Sequence, residues 1–60
     1  MATIVDDSDR LNGHYIVTDG TIKFDAYSDV STYLNEDQVR IAILNNDWTK
    51  KKFITGKYTG

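Results

Sequence analysis

The chain has to fold with sixty residues and without a single cysteine. A chain of this length buries only about 60% of the surface that its unfolded form exposes, so its stability is marginal without reinforcement. The missing cysteines exclude disulfides and thiolate metal sites, and a single histidine, His14, excludes a zinc site built from several histidines. The fold can still be stabilised by an efficient small core or by contacts with other chains, and the short length favours contacts.

Charge and hydropathy argue against several classes of protein. Seven basic and nine acidic residues give a net charge of −2, whereas a dedicated nucleic-acid binder needs a basic footprint to displace counterions from phosphates. No apolar run approaches the roughly 20 residues of a membrane helix, so no membrane partner is expected. Residues 1–5 lack the basic flank and the long apolar stretch of a signal peptide, which predicts cytoplasmic synthesis.

Residues 1–12 are predicted to form an acidic N-terminal arm, and residues 13–60 a single small β domain. Asp6, Asp7 and Asp9 lie close together in the sequence, and a cluster of like charges is usually solvated. The arm is therefore expected either to be disordered or to contribute a short edge strand.

The remainder of the chain alternates strand formers with turn residues. Asp19-Gly20 separates two runs of strand formers and predicts a β-hairpin with a type I′ turn. Asn45-Asn46-Asp47 predicts a second tight turn, since asparagine and aspartate tolerate left-handed backbone. The predicted strands lie near residues 14–18, 21–28, 38–44 and 52–58.

Four or five short strands joined by turns predict an all-β fold, either a small four- to five-stranded barrel or a rolled antiparallel sheet, OB-like or SH3-like. Apolar residues at alternate positions define the face of each strand that should be buried. The predicted core is Ile16, Ile22, Phe24, Ala26, Leu34, Val39, Ile41, Ile43, Phe53 and Ile54.

The stretch from residue 33 to residue 58 contains an ordered set of motifs. A turn leads into a Val-x-Val-type strand, an asparagine/aspartate turn with an aromatic residue follows, and a lysine-flanked Ile-x-Gly strand ends the set. The matching residues are Asp37, Val39 and Ile41, then Asn46, Asp47 and Trp48, then Lys52, Ile54 and Gly56. This pattern resembles the OB-like β-barrel modules of phage tail and baseplate structural proteins, although Glu36 stands where the pattern prefers glycine and Leu44 where proline is common. The resemblance implies a virion assembly part without catalytic residues.

Candidate catalytic groups are few, so we expect that the chain is not an enzyme and needs no cofactor or metal. Acid/base catalysis uses carboxylates whose pKa values are separated by their surroundings, usually through burial. The aspartates of the arm and the Glu36/Asp37 pair lie instead in segments that look exposed. His14 could be grouped with a serine and an aspartate on paper, but no nucleophile elbow accompanies it.

Two functions remain open. The preferred hypothesis is a structural or interaction module that self-assembles as a homo-oligomer or packs against neighbouring protein domains. Its interaction residues would be Trp48, Tyr27 and Tyr58, because surface tryptophan and tyrosine are typical interface anchors. The alternative is a single-stranded nucleic-acid-binding small β-barrel that stacks bases on an aromatic residue beside basic side chains. Its residues would be Trp48, Arg40, Lys50, Lys51 and Lys52. Trp48 could also simply cap the end of the barrel.

Overall fold

Five strands close into a barrel in the computed structural model, which describes residues 2–58. Neighbouring strands follow the order β1-β2-β3-β5-β4, and all pairs are antiparallel except β3 with β5. The predicted all-β small barrel is confirmed, and this order is OB-like. The strands are β1 (Ala2–Asp6), β2 (His14–Thr18), β3 (Lys23–Tyr27), β4 (Gln38–Ile43) and β5 (Lys52–Lys57), with 3₁₀ turns at Arg10–Asn12 and Leu44–Asn46.

The core contains small and medium-sized side chains from all five strands. Tyr15 is the largest, and its hydroxyl donates a hydrogen bond to the carbonyl of Val30 over 3.1 Å, so the ring can be buried without leaving the hydroxyl unpaired. Phe24, Tyr33 and Ile41 pack against this cluster from partly buried positions. The buried residues are Ala2, Ile4, Tyr15, Val17, Ala26, Val39 and Ile54.

The segment predicted as a separate arm begins with a barrel strand. β1 pairs with both β2 and β4, and it buries Ala2 and Ile4. The expectation that the arm contributes a short strand therefore agrees with β1, although β1 is paired on both sides and is not an edge strand. Asp6 and Asp9 are exposed, as the charge cluster predicted, whereas Asp7 is partly buried and accepts a hydrogen bond from the backbone N–H of Asn35.

The buried face of β2 is the opposite of the predicted one. Tyr15 and Val17 point inwards, whereas Ile16 is only partly buried on the outer face. Since side chains alternate along a strand, burying Ile16 would also have turned His14 and Thr18 into the core.

Four further core predictions were wrong in whole or in part. Ile22 lies in the β2–β3 loop rather than in a strand, and Leu34 lies in the β3–β4 loop, so each is about half exposed. Phe53 follows the outer face of β5 because its neighbour Ile54 points inwards. Ile43 shares the correct face of β4 but is only partly buried near the end of the barrel.

The predicted hairpin joins β2 to β3, but its turn differs from the expected one. Residues 19–22 form the loop, in which Gly20 has a positive φ and the Asp19 carboxylate accepts the backbone N–H groups of Thr21 and Ile22. An aspartate-centred loop has therefore replaced the two-residue type I′ turn. Gly56 lies beside a register shift between β4 and β5, and glycine within a strand often marks an irregularity of this kind.

Candidate functional site

A groove lies where the barrel wall is weakest. In the described part of the chain, β3 and β5 are joined through one residue pair, Tyr27 and Phe53. Beside this pair, β3 faces the loop of residues 44–51 across a groove with a volume of about 320 Å³. We call it the β3–loop groove, and its lining residues are Phe24, Asp25, Tyr27, Thr49, Lys50, Lys51 and Lys52.

The loop that forms one side of the groove is held by its own hydrogen bonds. Asn45 and Asn46 adopt left-handed backbone with φ of 55° and 56°, as their residue types predicted. The Asp47 carboxylate accepts the backbone N–H and the hydroxyl of Thr49 at 2.9 and 2.6 Å, and these bonds hold the pKa of Asp47 below its usual value. Lys52 Nζ donates to the carbonyl of Trp48 over 2.6 Å. The loop therefore presents Trp48 in a defined position.

Lysine ammonium groups lie over the aromatic rings of this region. Lys52 Nζ is 5.0 Å from the ring centre of Trp48 and 5.9 Å from that of Phe24, and Lys51 Nζ is 5.2 Å from that of Tyr27. The Trp48 ring packs edge-on against Phe24, with ring centres 5.4 Å apart. Trp48 nevertheless remains 51% exposed. It covers part of the barrel end and offers the rest of its ring to solvent.

The structure brings together some of the predicted interaction residues and separates others. Tyr27 lines the β3–loop groove together with the three consecutive lysines, and Trp48 lies next to the groove, against Phe24 and Lys52. Tyr58 follows β5 and stacks instead with Arg40, whose guanidinium lies 5.9 Å from the ring centre. Each of the two predicted residue sets is therefore divided. Some of its members lie at or next to the groove, and the others lie on β4 or directly after β5.

A cluster that the sequence did not reveal surrounds His14. Its Nδ1 lies 3.1 Å from Asp9 and its Nε2 lies 2.9 Å from Asp25. A neutral imidazole has one N–H, so both contacts are hydrogen bonds only when the ring is protonated. The contact with Asp25 first, and that with Asp9 to a lesser degree, raises the pKa of His14. The protonated ring ties the β1–β2 loop to β3.

The two ends of the barrel differ in charge. Strand directions place loops 7–13 and 28–37 at one end, which carries five carboxylates and one arginine, a net charge of −4. We call this the acidic end. Loops 19–22 and 44–51 with the first residues of β3 and β5 form the basic end, which carries four lysines and two aspartates, a net charge of +2. The last residues of β1 and β5, Asp6 and Lys57, also lie at the acidic end and cancel each other, as do Asp25 and Arg40 on the wall.

Comparison with known proteins gives no match. No protein-family model matches the chain, no curated protein matches it, and no solved structure matches it. Residues 2–58 include no helix with the length and apolar character to cross a membrane. Over the same range, no three side chains of the metal-ligating acidic, histidine or cysteine types are grouped so that they could hold a metal ion. The resemblance to phage modules stays a prediction.

Proposed function

We propose that this chain is a non-catalytic structural module that packs against protein surfaces, namely copies of itself or neighbouring domains of a larger assembly. One observation carries the proposal. Among residues 2–58, the large apolar side chains that are substantially exposed outnumber the buried residues of the core. Single exposed apolar residues are normal, but groups of them mark interaction sites. The exposed set is Val5, Leu11, Ile22, Val30, Leu34, Leu44, Trp48, Phe53 and Tyr58.

Six of the nine exposed side chains lie in loops at the two ends of the barrel. Leu11, Val30 and Leu34 lie in the loops of the acidic end, and Ile22, Leu44 and Trp48 lie in those of the basic end. Burying such residues against a partner would add apolar contacts that the small core lacks. Because anything that binds the folded state alone stabilises it, association would also reinforce a marginal fold.

The lowered pKa values of Asp6 and Asp37 fit a non-catalytic role. A general acid needs a raised carboxyl pKa near the working pH. Hydrogen bonds from Ser8 lower the pKa of Asp6, and the backbone N–H of Leu34 lowers that of Asp37. His14 is a poor candidate base, because Asp9 and Asp25 occupy both ring nitrogens.

The backbone at Glu36 supports the link to phage tail and baseplate modules. Glu36 stands where that pattern prefers glycine, and its φ is 74°. Glycine adopts this left-handed conformation without steric cost, whereas other residues are strained there. The glycine preference of the pattern therefore has a physical reason at this position. We extend the proposal accordingly to an assembly part of a phage-like virion.

Trp48 provides a direct test of packing, because it is the only tryptophan in the chain. Its emission should shift to shorter wavelength as the protein is concentrated from about 1 µM to 1 mM, a range that covers weak and moderate affinities. Leu44→Ser, which alters the same end, should reduce the shift. Thr55→Ala, on the exposed face of β5, should preserve it. An emission maximum independent of concentration in the parent chain would contradict the proposal.

Binding of single-stranded nucleic acid is the second candidate, and the β3–loop groove favours it. The groove combines Tyr27 with three lysines, next to the half-exposed Trp48. Stacking on such rings and phosphate contacts with lysines are the usual basis of sequence-tolerant single-strand binding. A short oligonucleotide should then quench Trp48 emission, and the affinity should fall steeply with salt.

Matched variants separate the groove from the rest of the surface. Tyr27→Ala should weaken oligonucleotide binding, whereas Tyr58→Ala, outside the groove, should leave it unchanged. If salt-dependent quenching is absent in the parent chain, or if both variants weaken binding equally, the groove is not a nucleic-acid site.

A further inference from the structure

The net charge of the barrel lies at its ends, and the two ends have opposite signs. The acidic end carries −4 and the basic end +2, while the wall is neutral overall. Strands of five or six residues separate the ends by about 15 Å, which exceeds the Debye length of about 8 Å at physiological ionic strength. A partner that touches one end therefore experiences mainly the charge of that end.

Each end combines its charge with exposed apolar side chains. Leu11 is 80% exposed beside Asp9 at the acidic end. Leu44 is 56% exposed in the same loop as Lys50 and Lys51 at the basic end. An apolar centre surrounded by charged residues is the usual anatomy of a protein interface. The two ends are therefore complementary in charge and similar in apolar character.

Building on the proposed function, we infer that copies of this chain stack head to tail, with the basic end of one copy on the acidic end of the next. The partner is a second copy because one chain carries both halves of the complementary pair. A two-fold dimer through either end would bring like charges together, which complementary interfaces avoid. A head-to-tail contact leaves one free end on each terminal copy, so it repeats into a ring or an open stack.

Two charge-reversal variants provide the test. Lys50→Glu with Lys51→Glu reverses the basic end from +2 to −2, and Asp29→Lys with Glu36→Lys removes the net charge of the acidic end, from −4 to 0. All four side chains are exposed, and none of them forms an ion pair with another residue in the range 2–58. Far-UV circular dichroism checks that both variants fold. Thr55→Glu, which places a charge on the exposed face of β5 in the wall, is the control and should associate like the parent chain.

Sedimentation of each variant alone and of their equimolar mixture distinguishes the arrangements. Each variant alone should associate at least about ten-fold more weakly than the parent chain, because the charge contact becomes repulsive in the first variant and loses its attraction in the second. In the mixture, the intact acidic end of the first variant meets the intact basic end of the second. The mixture should therefore form dimers and stop there, since the outer ends of such a dimer carry −2 and 0 and do not attract each other.

The remaining outcomes each contradict the inference in a distinct way. A parent chain that stays monomeric overturns both head-to-tail stacking and the proposed self-packing. If the parent chain associates but the mixed variants remain monomeric, head-to-tail stacking is overturned. Self-packing would then have to occur through another arrangement. If only the basic-end reversal prevents association, the acidic end is not the partner surface.

Discussion

The burial of Ile4 allows a direct test of β1 as part of the barrel. Ile4 is 1% exposed, whereas Ile22 is 52% exposed in the β2–β3 loop. Substitution of each by alanine removes the same atoms from two different environments. At Ile4, three buried carbons contribute about 2–3 kcal/mol in transfer free energy. The remaining cavity raises the expected loss in the free energy of unfolding to about 2–5 kcal/mol.

That loss is large for a chain of this size. A stability of roughly 0.05–0.15 kcal/mol per residue gives about 3–9 kcal/mol for the whole domain. Ile4→Ala should therefore leave the fold marginal, while Ile22→Ala should change the free energy of unfolding by no more than about 0.5 kcal/mol. With about 1 kcal/mol per molar urea for a small domain, the urea midpoint of Ile4→Ala should fall by about 2 M or more.

Urea unfolding followed by far-UV circular dichroism measures both variants against the parent chain. Equal midpoints for Ile4→Ala and the parent would refute the assignment of β1 to the barrel. A larger loss for Ile22→Ala than for Ile4→Ala would show instead that the hairpin residues form the core, as the sequence pattern alone predicted.

Three further substitutions test local features by the same unfolding assay. Gly13→Ala should destabilise strongly, because Gly13 has φ of 74° and an added Cβ would lie 2.5 Å from the carbonyl oxygen of Ser28; a parent-like midpoint would contradict this. Glu36→Gly should stabilise by about 0.5–1 kcal/mol by relieving a left-handed non-glycine residue, and a lowered midpoint would disprove the strain. Because folding raises the pKa of His14, its protonation stabilises the fold below the ordinary pKa of 6.5, and this contribution is lost as pH rises through the folded-state value. The urea midpoint should therefore fall above pH 6.5 in the parent but not in His14→Gln, and equal pH profiles would exclude the contribution.

The sequence was sufficient to predict the fold class and most of the strands, because turn chemistry is local. Asp19-Gly20 and Asn45-Asn46 each carry residue types that favour left-handed backbone or side-chain turns, and loops occur at both places. The inward face of β4 was also predictable, since Val39 and Ile41 alternate with polar residues.

The buried face of β2 was the main wrong prediction, although the sequence contained the information needed to identify it. Turning Ile16 inwards also requires a buried His14, whereas turning Tyr15 and Val17 inwards buries no ionisable side chain of that strand except the hydrogen-bonded tyrosine. Comparing all the residues on each face, rather than choosing the most apolar residue, would have identified the buried face of β2 correctly. β1 was not predicted as a barrel strand, because the aspartates that follow it favoured a solvated arm.

Parts of the candidate site depend on contacts that a linear sequence does not contain. The neighbourhood of Trp48, Tyr27 and the lysines follows from the parallel contact between β3 and β5, which no local motif indicates. The pairing of His14 with Asp25 requires the register of the hairpin, which places Tyr27 opposite His14. The opposite charges of the barrel ends become visible only when the strand directions are known.

The central claim is that the chain works by packing against proteins rather than by binding nucleic acid. Its most direct test is the solution mass of the parent chain by sedimentation across a dilution series, with and without a short single-stranded oligonucleotide. The account predicts a mass that rises with concentration, falls with added salt and does not respond to the oligonucleotide. A monomer at every concentration that shifts only when the oligonucleotide is added, and shifts less in high salt, would contradict it.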